Sequence, residues 1–307
     1  MQGISIRELD APLGAEIDGL DPTTLRALDA EGLESIRSAL HRHRLLLIRG
    51  TPRADADLVR FAERFGRLVT LYDHETTVPG FPAIVRVSNI ETDGRPIGLA
   101  GSQPLPWHHD HSYLPCPARE SFLEASLLPN DPPRTVFADM AMGLAALPAK
   151  LRERIRGLRA VHHIDERPDA VGDARRPTGT TPDYADATNV LAQDRIASQR
   201  AIHPVVVRHP ESGVEALYVS PLATHSIVGM PAPEAHALLD ELFERAIRPD
   251  HMYAHAWSPG DLVVWDTVAT LHRRDGFDPA ARRLMKQMST ACAEPLASTE
   301  PTRAQRR

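Results

Sequence analysis

Apolar residues at Leu25, Leu28, Leu33, Ile36 and Leu40 recur at helical spacing, and Asp21-Pro22 followed by Thr23-Thr24 offers a helix start. An amphipathic helix is therefore predicted from about Thr23 to His43. Ahead of it, residues Ile4 to Ile17 read as short strands around Pro12-Leu13-Gly14. The unbroken apolar run Leu45 to Ile48, closed by Gly50, predicts a buried strand. A second helix is predicted over Ala54 to Phe65, with Gly66 as its C-cap. Pro82 to Ser88 and Ser121 to Leu128 read as strands. Further on, Ala201 to Val207, Glu215 to Ser220 and Asp261 to Asp266 return as strands, with a strongly periodic helix over Ala232 to Ala246.

The stretch from Asp165 to Arg200 breaks this pattern. It is rich in Asp, Arg, Pro, Thr and Gly without periodicity, which predicts a long lid inside one domain spanning residues 1–293. Residues 294–307 are rich in Pro, Thr and Arg and are expected to form a flexible tail. Periodicity alone gives a mixed strand-and-helix chain.

Composition narrows the function. The chain has 307 residues, 42% hydrophobic and 25% charged, which is ordinary for a globular protein and excludes a disordered or fibrous one. A net charge of -6 argues against a nucleic-acid partner held through phosphates, so a small-molecule substrate is expected. No apolar run reaches the roughly 20 residues of a membrane span. The start Met1 to Asp10 carries Arg7, Glu8 and Asp10 and has no signal-like apolar core. Cys116 and Cys292 are the only cysteines, too few for a disulfide framework, so a reducing, cytoplasmic setting is expected. The apolar content of the Ala232 to Ala246 helix leaves homo-oligomerisation open.

Metal-ligand residue types are densest in Trp107-His108-His109-Asp110-His111. In extended chain, His108 and Asp110 share one face while His109 and His111 take the other. A third ligand must come from elsewhere, and His272, following the apolar strand that ends at Asp266, is the candidate. Two imidazoles and a carboxylate make the facial set of non-haem iron(II) oxygenases. Zinc would accept the same three groups, so a zinc hydrolase or binding module stays the alternative. A second pair, His163-Ile164-Asp165, shows how weak spacing alone is. His109, His111 and His162 have an ordinary reading as supporting or surface histidines.

The order Trp107-His108-x-Asp110, Thr135-Val136-Phe137-Ala138-Asp139-Met140, Gly260-Asp261-(x)₃-Trp265-Asp266-(x)₅-His272 and Arg282-Arg283-Leu284-Met285 resembles the taurine dioxygenase and chlorophenoxyacetate dioxygenase family. Pro12 to Asp21 and Leu45 to Gly50 are similar to that family's opening, so the likeness covers roughly residues 4–292. The resemblance implies an α+β chain with a double-stranded β-helix (jelly roll) core and flanking helices. It implies iron(II) held by His108, Asp110 and His272, with 2-oxoglutarate and O₂ as cosubstrates. Thr135 and Arg283 match the grip on the far carboxylate of 2-oxoglutarate, where a planar guanidinium pairs two-pronged as lysine could not. Trp107 and Trp265 are expected beside the metal, while Arg282 reads as a surface charge.

The implied reaction is oxidation, most simply hydroxylation, of a small organic molecule, coupled to decarboxylation of 2-oxoglutarate to succinate. An intact Asp110 separates the chain from related halogenases, which have a small residue there, and leaves desaturation and oxidative cleavage open beside hydroxylation. A non-catalytic sensor would not need the complete ligand set. Taurine-cleaving members carry an arginine four residues after the cosubstrate arginine and an asparagine three before the tryptophan. Here those positions are Gln287 and Pro104, which argues against taurine. Tyr72, His74, Tyr113 and Gln287 are the residues expected toward substrate.

Overall fold

The structure, a computed structural model, describes residues 4–20, 27–50, 53–164 and 200–298. The predicted lid, apart from Arg200, lies outside them. The first half contains β1 (Ser5–Glu8), β2 (Ala15–Asp18), helix α1 (Ala30–His43), β3 (Leu45–Ile48), helix α2 (Asp55–Glu63), β4 (Thr77–Val78) and β5 (Phe81–Ser88). Short pieces β6 (Glu91–Thr92), β7 (Arg95–Pro96) and β8 (Leu99–Ala100) lead to β9 (Leu105–His108). Then come β10 (Ala118–Leu127), β11 (Thr135–Asp139), helices α3 (Met140–Ala146) and α4 (Ala149–Ile155), and β12 (Arg159–His163). The second half holds β13 (Arg200–Pro204), β14 (Val206–Arg208), β15 (Glu215–Leu217), β16 (Thr224–Ile227) and helix α5 (Ala232–Ala246). It closes with β17 (Met252–His255), β18 (Leu262–Asp266), β19 (Thr270–Arg274), β20 (Leu284–Ala291) and β21 (Ala297–Ser298).

Two sheets set the site. The larger has nine strands in the order β1-β2-β3-β18-β10-β20-β5-β4, with β8 added beside β5, and the smaller has four, β17-β11-β19-β9. The larger sheet is buried on both faces, which is why Leu45–Ile48 and Leu262–Trp265 are unbroken apolar runs. Side chains alternate along each strand. Leu46, Ile48, Phe122, Leu262, Val264 and Met288 pack with Ile36, Leu40, Leu58 and Phe61 of the two helices. Leu45, Leu47, Leu123, Val263, Trp265 and Met285 turn the other way and pack on Phe137 of the smaller sheet. Each such side chain, fully buried, contributes about 1.5–3 kcal/mol, so the sheets are clamped from both sides.

Several boundaries differ from the pattern reading. Helix α1 begins at Ala30, because Asp29 is extended and caps it by accepting from Gly32 N–H at 2.7 Å. Helix α2 ends at Arg64 in ordinary helical geometry, so Gly66 is not its cap. The strand expected over Ala201 to Val207 breaks at Val205, whose N–H bonds Leu158 O, and its halves join different sheets. Ala297–Ser298, placed by sequence in a flexible tail, pairs with Val207 and Arg208 of β14, and Leu296 beside it is buried. No helix among the described residues is long and apolar enough to cross a membrane.

Candidate active site

One face of the smaller sheet carries most of the chemistry. His272 on β19 lies directly opposite His108 on β9 and opposite Phe137 on β11. Two positions along, Arg274 faces Thr135. His272 therefore sits inside a strand of its own, past the apolar strand that ends at Asp266. Asp110 follows β9 in a turn, its N–H donating to Thr267 Oγ1 at 3.0 Å. His108, Asp110 and His272 converge, with Asp110 Oδ1 3.7 Å from His108 Nε2 and 3.8 Å from His272 Nε2. The two imidazole centroids are 4.0 Å apart. His108 and Asp110 do meet, but through this turn and not by strand alternation.

The larger sheet supports the carboxylate from behind. Ser121 Oγ on β10 donates to Asp110 Oδ2 at 2.6 Å, and Gln287 Nε2 on β20 donates to the same oxygen at 3.2 Å. Oδ1 is left for a cation. His108 Nδ1 lies 2.7 Å from Pro106 O, an acceptor only, so it carries the proton and Nε2 keeps its lone pair for a metal. Burial, then His108, hold the His272 imidazole down to about 3, against the pull of Asp110. Burial would raise the Asp110 carboxyl, yet His272, His108, His111 and the Ser121 hydroxyl together hold it below the ordinary carboxylate range. The donor set, neutral imidazoles and an ionised carboxylate, fits iron(II).

These groups share a mainly apolar pocket with Thr135, Trp265, Arg274 and Arg283. Arg283 is 1% exposed, and its backbone is clamped by Asn89 Oδ1 and Ser88 Oγ. Among the described residues no carboxylate pairs with its guanidinium, and its Nε has no hydrogen-bond partner. Burial, then the neighbouring Arg274, pull its pKa down to about 9. A buried cation without a counterion calls for an anion in the pocket. Thr135 Oγ1 accepts from Trp257 Nε1 at 3.0 Å, so its own hydrogen is available to an acceptor there. The arrangement fits a dicarboxylate keto acid.

Other expected residues separate. Tyr72, Tyr113 and Gln287 line the pocket, whereas His74 is exposed in the turn after Tyr72 and does not. Trp265 lies 4.9 Å from the His272 ring, but Trp107 points to the opposite face of β9, under Arg273. Arg282 is exposed. His163 packs against His225, and its partner Asp165 is outside the described residues. His109 and His162 are buried against Tyr218, and His109 and His111 both line the pocket. Asp261 and Asp266 of the motif do structural work: Asp261 accepts from Ser258 N–H and Arg49, and Asp266 from the N–H groups of Val268 and Ala269. Ser121, Trp257, Thr267 and Arg274 went unread in the sequence, because no local motif marks them. A second group, His41, Glu120 and Glu211, also comes together, but Arg119 and Arg37 already neutralise it.

Comparison with known proteins agrees with this geometry. The sequence profile of the family "Taurine catabolism dioxygenase TauD, TfdA family" matches residues 5–289. The chain belongs to this family of iron(II)- and 2-oxoglutarate-dependent dioxygenases. It is 34% identical over 93% of its length to pentalenolactone F synthase of Streptomyces arenae, covering 94% of that protein. It is 30% identical over 89% of its length to the alpha-ketoglutarate-dependent 2,4-dichlorophenoxyacetate dioxygenase of Cupriavidus pinatubonensis, covering 93% of it. Among solved structures, a taurine dioxygenase from Burkholderia xenovorans superposes with a TM-score of 0.74 at 28% identity, over 98% of this chain and 97% of that one. AAD-2 in complex with Mn(II) and N-oxalylglycine gives 0.74 at 26% identity, over 96% of this chain and 99% of that one.

Proposed function

We propose that the chain hydroxylates a small, largely apolar organic substrate, with iron(II) held by His108 Nε2, Asp110 Oδ1 and His272 Nε2. Arg283 and Thr135 grip the far carboxylate of 2-oxoglutarate. When bound, the metal, the keto acid and O₂ supply the oxidising power. The chain's own residues position and exclude. Ser121 and Gln287 hold Asp110 in one orientation, Pro106 fixes the His108 tautomer, and the apolar walls keep water from the reacting carbon. We assign the two facing sheets to a jelly-roll core in a single domain, acting on a small molecule in the cytoplasm.

The observation that carries this reading is the buried Arg283, without a carboxylate partner among the described residues, lining one pocket with Thr135 and the His108, Asp110 and His272 group. A zinc hydrolase has no use for a dicarboxylate clamp. Purified protein given iron(II), 2-oxoglutarate and O₂ should form succinate, faster when a substrate library member fits. Metal-dependent hydrolysis without the keto acid would reject the assignment.

A further inference from the structure

We propose that His111 anchors the substrate, its Nε2 edge hydrogen-bonding a neutral oxygen acceptor such as an ester, lactone or ketone carbonyl on an otherwise apolar molecule. The inference rests on the dioxygenase reading and names its substrate class.

His111 follows the carboxylate ligand directly, yet both side chains line the same pocket. Extended backbone would send them to opposite faces. The chain avoids this by giving His111 a left-handed φ of 53°. That conformation is uncommon for a residue with a side chain and carries strain. Surrounding contacts hold it there. Its Nδ1 lies 3.1 Å from the hydroxyl of Tyr113, which is 3% exposed. Tyr113 in turn shares a hydrogen bond with the Tyr72 phenol, and Tyr72 packs on the His111 ring at 5.8 Å. With Nδ1 engaged, Nε2 is the polar edge that remains for a ligand.

The chain Tyr72–Tyr113–His111 can run in two directions. If Tyr72 donates to Tyr113 and Tyr113 to Nδ1, then Nε2–H is the donor to the ligand. If the order reverses, the Tyr72 hydroxyl is the donor and Nε2 accepts. The anchor requires the first order, because in the second Nε2 has no hydrogen to give to a carbonyl. Around it stand Val85, Leu99, Leu105, Ile164 and Leu222.

Charge decides between a carbonyl and a carboxylate. The cations lining the pocket among the described residues are Arg283, assigned to the keto acid, and Arg274. Arg274 turns its Nη2 to the carbonyls of Ala100 at 2.7 Å and Gln103 at 2.5 Å in the loop before β9. A carbonyl needs only the single donor that this wall offers, whereas a carboxylate needs a cation beside it and would have to compete for Arg274.

The test uses protein loaded with Mn(II) and 2-oxoglutarate and matched probes: phenoxyacetate with its methyl ester, and a bicyclic terpenoid lactone with its ring-opened hydroxy acid. Binding is measured by calorimetry. The neutral member of each pair should bind more tightly, His111→Phe should weaken it about tenfold or more, and His111→Gln, which keeps a donor, should restore much of the loss. Tighter binding of the acids, no binding of either member, or wild-type affinity in His111→Phe overturns the proposal. The same titration reports 2-oxoglutarate itself: if the wild-type protein does not take it up, the dioxygenase reading falls and the anchor with it. Normal uptake with the wrong probe preference removes the anchor alone.

Discussion

Ser121 Oγ on the larger sheet lies 2.6 Å from Oδ2 of Asp110, the carboxylate whose other oxygen faces the two histidines of the smaller sheet. The proposed metal site is thus closed between sheets. Removing this hydroxyl frees the carboxylate to rotate. Ser121→Ala should lower Mn(II) affinity by about 10- to 100-fold with little change in the far-UV spectrum, and Gln287→Leu should act in the same direction. Unchanged affinity in both would mean that Asp110 is oriented by something else.

On the proposed reading, Arg283 and Thr135 make separable contributions to keto-acid binding. Arg283→Lys keeps the charge but loses the planar fork, and should raise the KM for 2-oxoglutarate by about 10- to 100-fold. Thr135→Val should cost less, about tenfold, since it removes one neutral hydrogen bond. Trp257→Phe should raise KM further down that scale, because Trp257 only orients the threonine. The order of the three values, from steady-state succinate formation, is the check.

Away from the site, Arg53 and Glu124 form a buried pair at 3.4 Å, both side chains 1% exposed, and Arg53 also donates to Gly260 O. Glu124→Ala leaves a buried guanidinium without its counterion and should cost about 3–5 kcal/mol in urea unfolding. A cost below about 1 kcal/mol, the range of exposed pairs, would show that water reaches Arg53.

Stability should also depend on pH through His209 and Asp266, 3.3 Å apart and each 1% exposed, with His41, Arg44 and Glu120 around them. Burial would lower the His209 pKa, but Asp266, with a smaller pull from Glu120, raises it above the ordinary 6.5. A raised folded-state pKa means that the imidazolium stabilises fully below that ordinary value and stops doing so as pH climbs through the folded value. The Asp266 carboxyl, held below 3.8 overall, contributes above its unfolded pKa and loses its share only in acid. Wild-type Tm should therefore fall more steeply than that of His209→Phe as the pH rises above the ordinary imidazole value of 6.5. Parallel curves would contradict the pairing.

The elements with strong local signals were legible in the chain itself. The runs Leu45–Ile48 and Leu262–Trp265 read as buried strands because the larger sheet is covered on both faces, and helix α5 matches its predicted span. Family resemblance identified the converging trio. Sequence could not show why it converges: the cross-strand register of His108 with His272 and the turn at Asp110 are products of long-range pairing. For the same reason Ser121, Gln287 and Trp257 became visible as supports only in three dimensions. His111 was read as a bystander because its left-handed backbone, which no spacing rule anticipates, brings it into the pocket.

The central claim is that His108, Asp110 and His272 hold one metal beside a keto acid gripped by Arg283. Crystals grown with Mn(II) and 2-oxoglutarate test it directly. The account predicts the ion bonded to His108 Nε2, Asp110 Oδ1 and His272 Nε2, and the far carboxylate of the keto acid paired with the Arg283 guanidinium. An ion seated elsewhere, or a keto acid that leaves Arg283 untouched, would contradict it.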